Sequence, residues 1–147
     1  MKITFNKKSI NTSIYTNLID RFKLYRFKLE NIKEGICLPK KRKSNTYLFC
    51  QRVDIILTDD EFKVIKIIRN LKSEKFIFGN KLVYYIFILP KGTFPNIKKS
   101  DHIKVKLTTE EQTTLDNYNN KHINKYIKRK NKILKKINKK QQKKDAK

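Results

Sequence analysis

Two runs dense in β-branched residues, Val53-Asp54-Ile55-Ile56-Leu57-Thr58 and Val64-Ile65-Lys66-Ile67-Ile68, flank Asp59-Asp60-Glu61-Phe62. Side chains branched at Cβ are stiff at χ1 and pack well on a pleated surface, so they favour strand over helix. Each run is bounded by turn-forming residues and is of strand length. The pattern predicts two buried strands joined by a tight connection, with the acidic residues at a solvated hairpin tip. They are the expected central pair of a small β-rich domain, within the stretch Tyr47 to Leu71.

A chain of 147 residues is long enough for one core. Other apolar runs extend the strand pattern. Ile3-Thr4-Phe5 is a short β-like start, either an edge strand or disordered. Ile36-Cys37-Leu38 is a short strand stopped by Pro39. Lys40 to Asn45 reads as a basic loop, and Thr46 to Cys50 as a return to strand. Phe76-Ile77-Phe78 is extended, and Leu82 to Leu89 is the most apolar run, broken by Leu89-Pro90-Lys91-Gly92-Thr93. Tyr84 and Tyr85 fall on opposite faces, so one is expected in the core and the other exposed or at a rim. Ile103 to Leu107 alternates and predicts a half-exposed strand. Ile14 to Leu29 begins at helical spacing and ends nearly alternating, a short helix or turn passing into an extended segment.

The period changes at Thr108-Thr109-Glu110-Glu111. Thr followed by Glu resembles a helix N-terminus, where acids suit the positive end of the dipole. Leu115, Tyr118, His122, Tyr126, Ile133 and Ile137 then recur at three or four residues or twice that. One helix from about Thr109 into the 130s is expected, fraying into Lys-rich disorder. The expected organisation is a β-rich domain over 1–107 and a basic helix and tail over 108–147. The fold class is α+β: a compact, β-dominated, barrel-like single domain with a C-terminal basic helix.

The net charge of +24 is concentrated in that tail. Residues 121–147 hold 13 Lys or Arg and one acid, whereas residues 1–120 hold 24 against 12. Two readings account for this. One is a nucleic-acid or other polyanion partner, engaged through Lys125, Lys128, Arg129, Lys132, Lys135 and Lys136. The other is the Lys, Ile and Asn bias of AT-rich coding sequence.

Cys37 and Cys50 belong to no CxxC or Cys/His cluster, so neither a zinc site nor any other metal or cofactor is expected. Both lie in apolar strand-like runs, which predicts buried free thiols and a reducing compartment. The first residues lack the apolar stretch of a signal peptide, and no run reaches the length of a membrane span. The expected location is the cytoplasm.

Three stretches resemble a family, domain-of-unknown-function family 192, the uncharacterised ancient conserved region of prokaryotes. The family's Phe-Pro-Lys-Cys segment, His-Thr-Phe-Phe-Met and Ile-Asp-Val-Ile-Met-Thr-Asp correspond to three segments here. These are Leu38-Pro39-Lys40-Lys41, Asn45-Thr46-Tyr47-Leu48-Phe49 and Val53-Asp54-Ile55-Ile56-Leu57-Thr58-Asp59. The strand ending in Asn-Leu-Lys matches Val64 to Lys72, and the Tyr-Tyr strand running into Leu-Pro-x-Gly-Thr matches Tyr84-Tyr85 and Leu89 to Thr93. The closing Gly-Asp corresponds to Ser100-Asp101. The similarity covers roughly residues 20–107. It implies a β-dominated, barrel-like α+β domain with no established activity. The family's Cys falls on Lys41 here and its His on Asn45.

Among candidate sites, Asp54 stands in an apolar strand, where burying an acid is costly unless it is paired or hydrogen-bonded. It is either a pocket carboxylate or a structural Asp bound to backbone amides or to an Arg such as Arg52. Asn45 and Thr46 could line a polar pocket above it, or cap a turn. Lys40 to Lys43 is a phosphate clamp or a solvated loop. His102 and His122 have no ligand companions and read as surface residues. No nucleophile–base set or Gly-rich phosphate loop is present. The sequence therefore predicts a non-enzymatic binding or accessory protein, with polyanion binding by the tail as the alternative.

Overall fold

The structure, a computed structural model, describes residues 1–17, 25–120 and 123–145. Among them are nine strands: β1 (Lys2–Phe5), β2 (Lys8–Ile14), β3 (Gly35–Pro39), β4 (Lys43–Asn45), β5 (Val53–Thr58), β6 (Val64–Leu71), β7 (Phe76–Phe78), β8 (Tyr85–Pro90) and β9 (Lys104–Lys106). Two helices follow, α1 (Thr109–Asn120) and α2 (Ile123–Asp145). The chain divides into two units, Met1–Glu111 and Gln112–Lys147. In the first, seven strands form a curled, barrel-like sheet in the order β6-β5-β8-β3-β2-β1-β9, while β4 and β7 make a separate two-stranded ribbon. The protein is thus α+β with a β-dominated, barrel-like sheet. Every pairing in the seven-stranded sheet is antiparallel except β2 with β3.

The apolar runs become strands covered on both faces. Every residue of β3 and β5 is buried, and β8 is buried up to Pro90. One face carries Ile36, Leu38, Val53, Ile55, Leu57 and Ile86 into the core cluster. The other carries Cys37, Ile56 and Phe87, with Ile56 opposite Phe87 in the β5–β8 register. Two-sided burial is why these segments read as unbroken hydrophobic runs instead of alternating ones. It also corrects the expectation for the tyrosines: Tyr84 and Tyr85 are both buried. The Tyr85 ring stacks on Phe62 with centroids 4.7 Å apart.

The strand order corrects the central pair. β5 is second from one edge, between β8 and β6, and β6 ends the sheet. The outer edge of β6 is not bare: the Val64 amide donates to the Asp101 carbonyl, and the Ser100 amide to that of Val64. Farther along, the Arg69 guanidinium donates to the carbonyls of Phe94 and Ile97 at 3.1 and 2.9 Å. A loop and an arginine thus occupy part of an edge that would otherwise invite another strand. β1 is an inner strand, between β2 and β9.

Between β3 and β5 the sequence expectation is reversed. Lys43–Asn45, expected in a loop, pairs with β7. Thr46 to Cys50, expected as strand, is a turn-rich crossing with Leu48 at φ 63° and one bridge, Arg26 to Phe49. The cause lies in Thr46. Its hydroxyl donates to the Lys72 carbonyl at 2.8 Å and accepts from the Lys75 amide at 3.1 Å, pinning the chain to the loop before β7. The expected helix or turn within Ile14 to Leu29 lies largely outside the described residues.

At α1 the Thr and Glu signal is a capping box. The Thr108 amide donates to Glu111 Oε2 at 2.9 Å, and the Glu111 amide to Thr108 Oγ1 at 3.4 Å. Glu111 also meets the α-amino group of Met1. Two helices stand where one was expected, the second extending to Asp145, well beyond the 130s; His122 lies outside the described residues. No helix among the described residues is long and apolar enough to cross a membrane.

Replacing Ile56, which is 1% exposed, by Asp places an unpaired charge between β8 and β6. The expected loss is about 4 kcal/mol or more. It is read as a fall in urea midpoint. A soluble Ile56→Asp variant with an unchanged midpoint would show that β5 is not core.

Candidate functional site

Asp54 sits at a register shift in β5, between Val53 and Ile55. It is 4% exposed. Its Oδ1 accepts the Asn70 amide at 2.8 Å and its Oδ2 accepts the Gly92 amide at 2.8 Å. Both donors have left-handed backbone, Asn70 at φ 53° and Gly92 at φ 78°. Each oxygen of the buried carboxylate therefore has an N–H partner, as a buried charge requires. The carboxylate ties the end of β6 and the turn after β8 to β5. Arg52, the alternative partner, is exposed.

Asn45 and Thr46 have other partners. The Asn45 Oδ1 accepts the Tyr47 amide at 3.2 Å, an Asx-type turn, and a guanidinium N–H of Arg26 at 3.4 Å. Thr46 is fully buried against the 72–75 loop. No hydrogen bond joins either residue to Asp54 among those described. Neither of two well-formed clefts of the β-rich unit is lined by any of the three.

Those clefts, of about 390 and 420 Å³, adjoin one another and share Ser13 and Glu34. The first is bordered by Lys2, Thr12, Lys106 and Glu111. The second is bordered by Tyr15, Tyr25, Asn31 and Lys33. Tyr25 donates its phenol proton to the Glu34 carbonyl. Burial, reinforced by Tyr15 and Glu34, holds that phenol well above its usual range, so it stays a donor. Neither lining contains histidine or cysteine.

The acidic hairpin tip folds on itself. Asp59 Oδ1 accepts the amides of Glu61 and Lys63 at 2.9 and 3.0 Å. Among the described residues no group of His, Cys, Asp and Glu is arranged to hold a metal ion. His102 is exposed and bridges Lys63. Of the two thiols, Cys37 is buried in β3, and burial pushes it far above the ordinary thiol range. Cys50 is exposed, against expectation, because the chain has left the strand path by then.

In the C-terminal unit, Lys125, Lys128, Arg129, Lys132, Lys135 and Lys136 are all exposed on α2. Tyr126 is buried and Ile133 half-buried, while Ile137 is 43% exposed. Sequence reasoning missed a different surface: the rings of Phe76 and Phe78, 60% and 56% exposed. Their alternation about Ile77 was the available signal.

The chain matches no family profile and no curated protein. Two crystal structures resemble it. One is a protein of unknown function from Novosphingobium aromaticivorans, with a TM-score of 0.60 and 16% identity, covering 71% of this chain and 82% of that one. The other is a protein from Sinorhizobium meliloti described as a "putative transcription regulator", with a TM-score of 0.59 and 10% identity, covering 70% and 89%. At such identities the likeness establishes the fold.

Two measurements check these assignments. Asp54→Ala strands the amides of Asn70 and Gly92 and should cost about 3 kcal/mol, read by chemical denaturation. A change within 0.5 kcal/mol, roughly the scatter of an ordinary surface substitution, would remove the anchor assigned to this carboxylate. With a thiol-specific chromogenic reagent, one thiol should react quickly in native protein and the second only on unfolding. Two fast thiols would place Cys37 at the surface.

Proposed function

We propose that this protein is a non-enzymatic binding protein that engages polyanions, nucleic acid foremost, through the basic face of α2. The carrying observation is a strongly cationic helix whose six named cations all face solvent. Between Ile123 and Asp145 stand eleven Lys or Arg and one acid. Apolar residues at Ile123, Tyr126, Ile133 and Ile137 gather on one side of the helix, interrupted by Lys130, and the six named cations lie on the exposed remainder. Contacts from these cations to phosphate position a protein on nucleic acid without reading its sequence, so sequence preference is slight in this reading.

In this reading the β-rich unit is a domain of the uncharacterised ancient conserved region type. The order of its motifs from Leu38 to Asp101 supports that reading. Two unbridged cysteines support a cytoplasmic location.

The test compares the full chain with a variant carrying Lys128→Gln, Arg129→Gln, Lys132→Gln and Lys135→Gln, on duplex DNA at several salt concentrations. Affinity of the unaltered protein should fall steeply with salt, with a log–log slope of roughly −0.9 per phosphate contact. The variant should lose slope in proportion to the contacts removed. An unchanged slope, or no binding by either protein at low salt, would overturn the reading and leave coding bias as the account of the charge.

A further inference from the structure

We propose that the β4–β7 ribbon is a separate binding surface, a stacking platform for the bases of single-stranded nucleic acid. All of its residues lie within Met1–Glu111, so it does not depend on α2.

β7 is Phe76-Ile77-Phe78. Successive side chains of a strand point to opposite faces. Ile77 is fully buried in the core cluster, and the two phenylalanines face the other way, into solvent. Burying a Phe is worth about 1.5–3 kcal/mol, so leaving two on one short strand forgoes stability. The register sets Lys43 opposite Phe78 and Asn45 opposite Phe76, which puts both on the same face as the rings. Tyr47 meets Phe76 edge-on, with centroids 5.2 Å apart and planes at 86°. Phe76 and Phe78 lie 5.9 Å apart at 33°. The result is a row of three rings.

Cations stand beside that row. The Lys43 ammonium lies 5.6 Å from the centre of the Phe78 ring. Arg42 and Lys75, next to the two strands, are exposed. From Lys40 to Val53 the chain holds five Lys or Arg and no acid. The nearby Glu74 carboxylate accepts the Leu48 amide at 3.2 Å.

The occupant must offer flat π-faces and regularly spaced negative charge, and single-stranded nucleic acid offers both. Every base has a face to stack on a ring, and phosphates answer the lysines. A duplex keeps its base faces inside its own stack, so the platform selects single strands. A lipid surface would cover the exposed rings but has no flat π-face to stack on them. A second copy of this chain would bring the same basic face against itself.

The test uses the full chain, which has no tryptophan. Phe76→Trp introduces a single reporter at the platform. Near-physiological salt suppresses purely ionic contacts. There, oligothymidylate should quench the tryptophan, and an abasic oligonucleotide of equal length and charge should not. Phe76→Ala with Phe78→Ala should weaken oligothymidylate binding roughly tenfold or more, since each stacked base contributes substantially. Affinity for duplex should not change, which separates this platform from the basic helix. Equal quenching by the abasic strand would overturn the proposal. So would unchanged oligothymidylate affinity in a double-alanine variant that melts like the unaltered protein. A tryptophan blue shift on phosphatidylglycerol vesicles without quenching by oligothymidylate would assign the patch to membranes. Ring-dependent self-association without that quenching would assign it to an interface between copies. If the double-alanine variant unfolds, the comparison of thymidylate with abasic strand on Phe76→Trp decides the matter alone.

Discussion

A carboxylate that is 4% exposed near the start of an apolar strand needs an answer for its charge, and the β-rich unit supplies it with backbone. Asp54 takes one amide from the end of β6 and one from the turn after β8. Those strands are the two neighbours of β5, so three adjacent strands are cross-tied at one end by a single side chain. Both amides come from left-handed residues. Gly92 adopts that backbone freely, whereas at Asn70 the conformation is less favourable and tolerated by its short polar side chain. The acid and the turns that serve it are therefore one unit: either alone would be destabilising, and together each satisfies the other.

The core is arranged around the same place. β5, β8 and β3 are covered on both faces, which takes more apolar side chains than a half-exposed sheet. The sheet meets that demand by curling, so that one face closes over the cluster containing Val53, Ile55 and Leu57. At its ends the sheet is less apolar: β6 is partly occupied by Arg69 and by the loop after β8, and β9 alternates with lysine.

The proposed functions, by contrast, lie at the surface. The two surfaces proposed to bind nucleic acid differ in chemistry, and so in what they ask of the ligand. The α2 face offers charge alone and is indifferent to bases. The ribbon offers rings with cations beside them and needs bases to be unstacked. An exposed Phe-Ile-Phe strand is a liability for aggregation unless something occupies it. The charge of Lys43 over Phe78 reduces that liability while suiting a phosphate-bearing partner.

Much of the strand content was legible because β-branched runs bounded by turn residues leave few alternatives; β5, β6, β8 and β9 stand where their patterns place them. The Thr108–Glu111 cap was legible for a similar reason, since its two hydrogen bonds are made between residues three apart. What was not legible depended on partners distant in sequence. That Tyr85 is buried follows from β8 lying between β3 and β5, and the Tyr84 amide, just before the strand, donates to the Thr58 carbonyl. That Thr46 to Cys50 leaves the strand path, exposing Cys50, follows from a hydroxyl bonding to a loop 26 residues away. The hydrogen-bond partners of Asn45, Thr46 and Asp54, some of them far along the chain, were not legible either. Local stiffness and periodicity act within a few residues, and the sequence by itself determined the elements they control. Sheet order, the amides that receive Asp54 and the face on which Phe76 and Phe78 emerge are long-range pairings, and only the tertiary structure decided them.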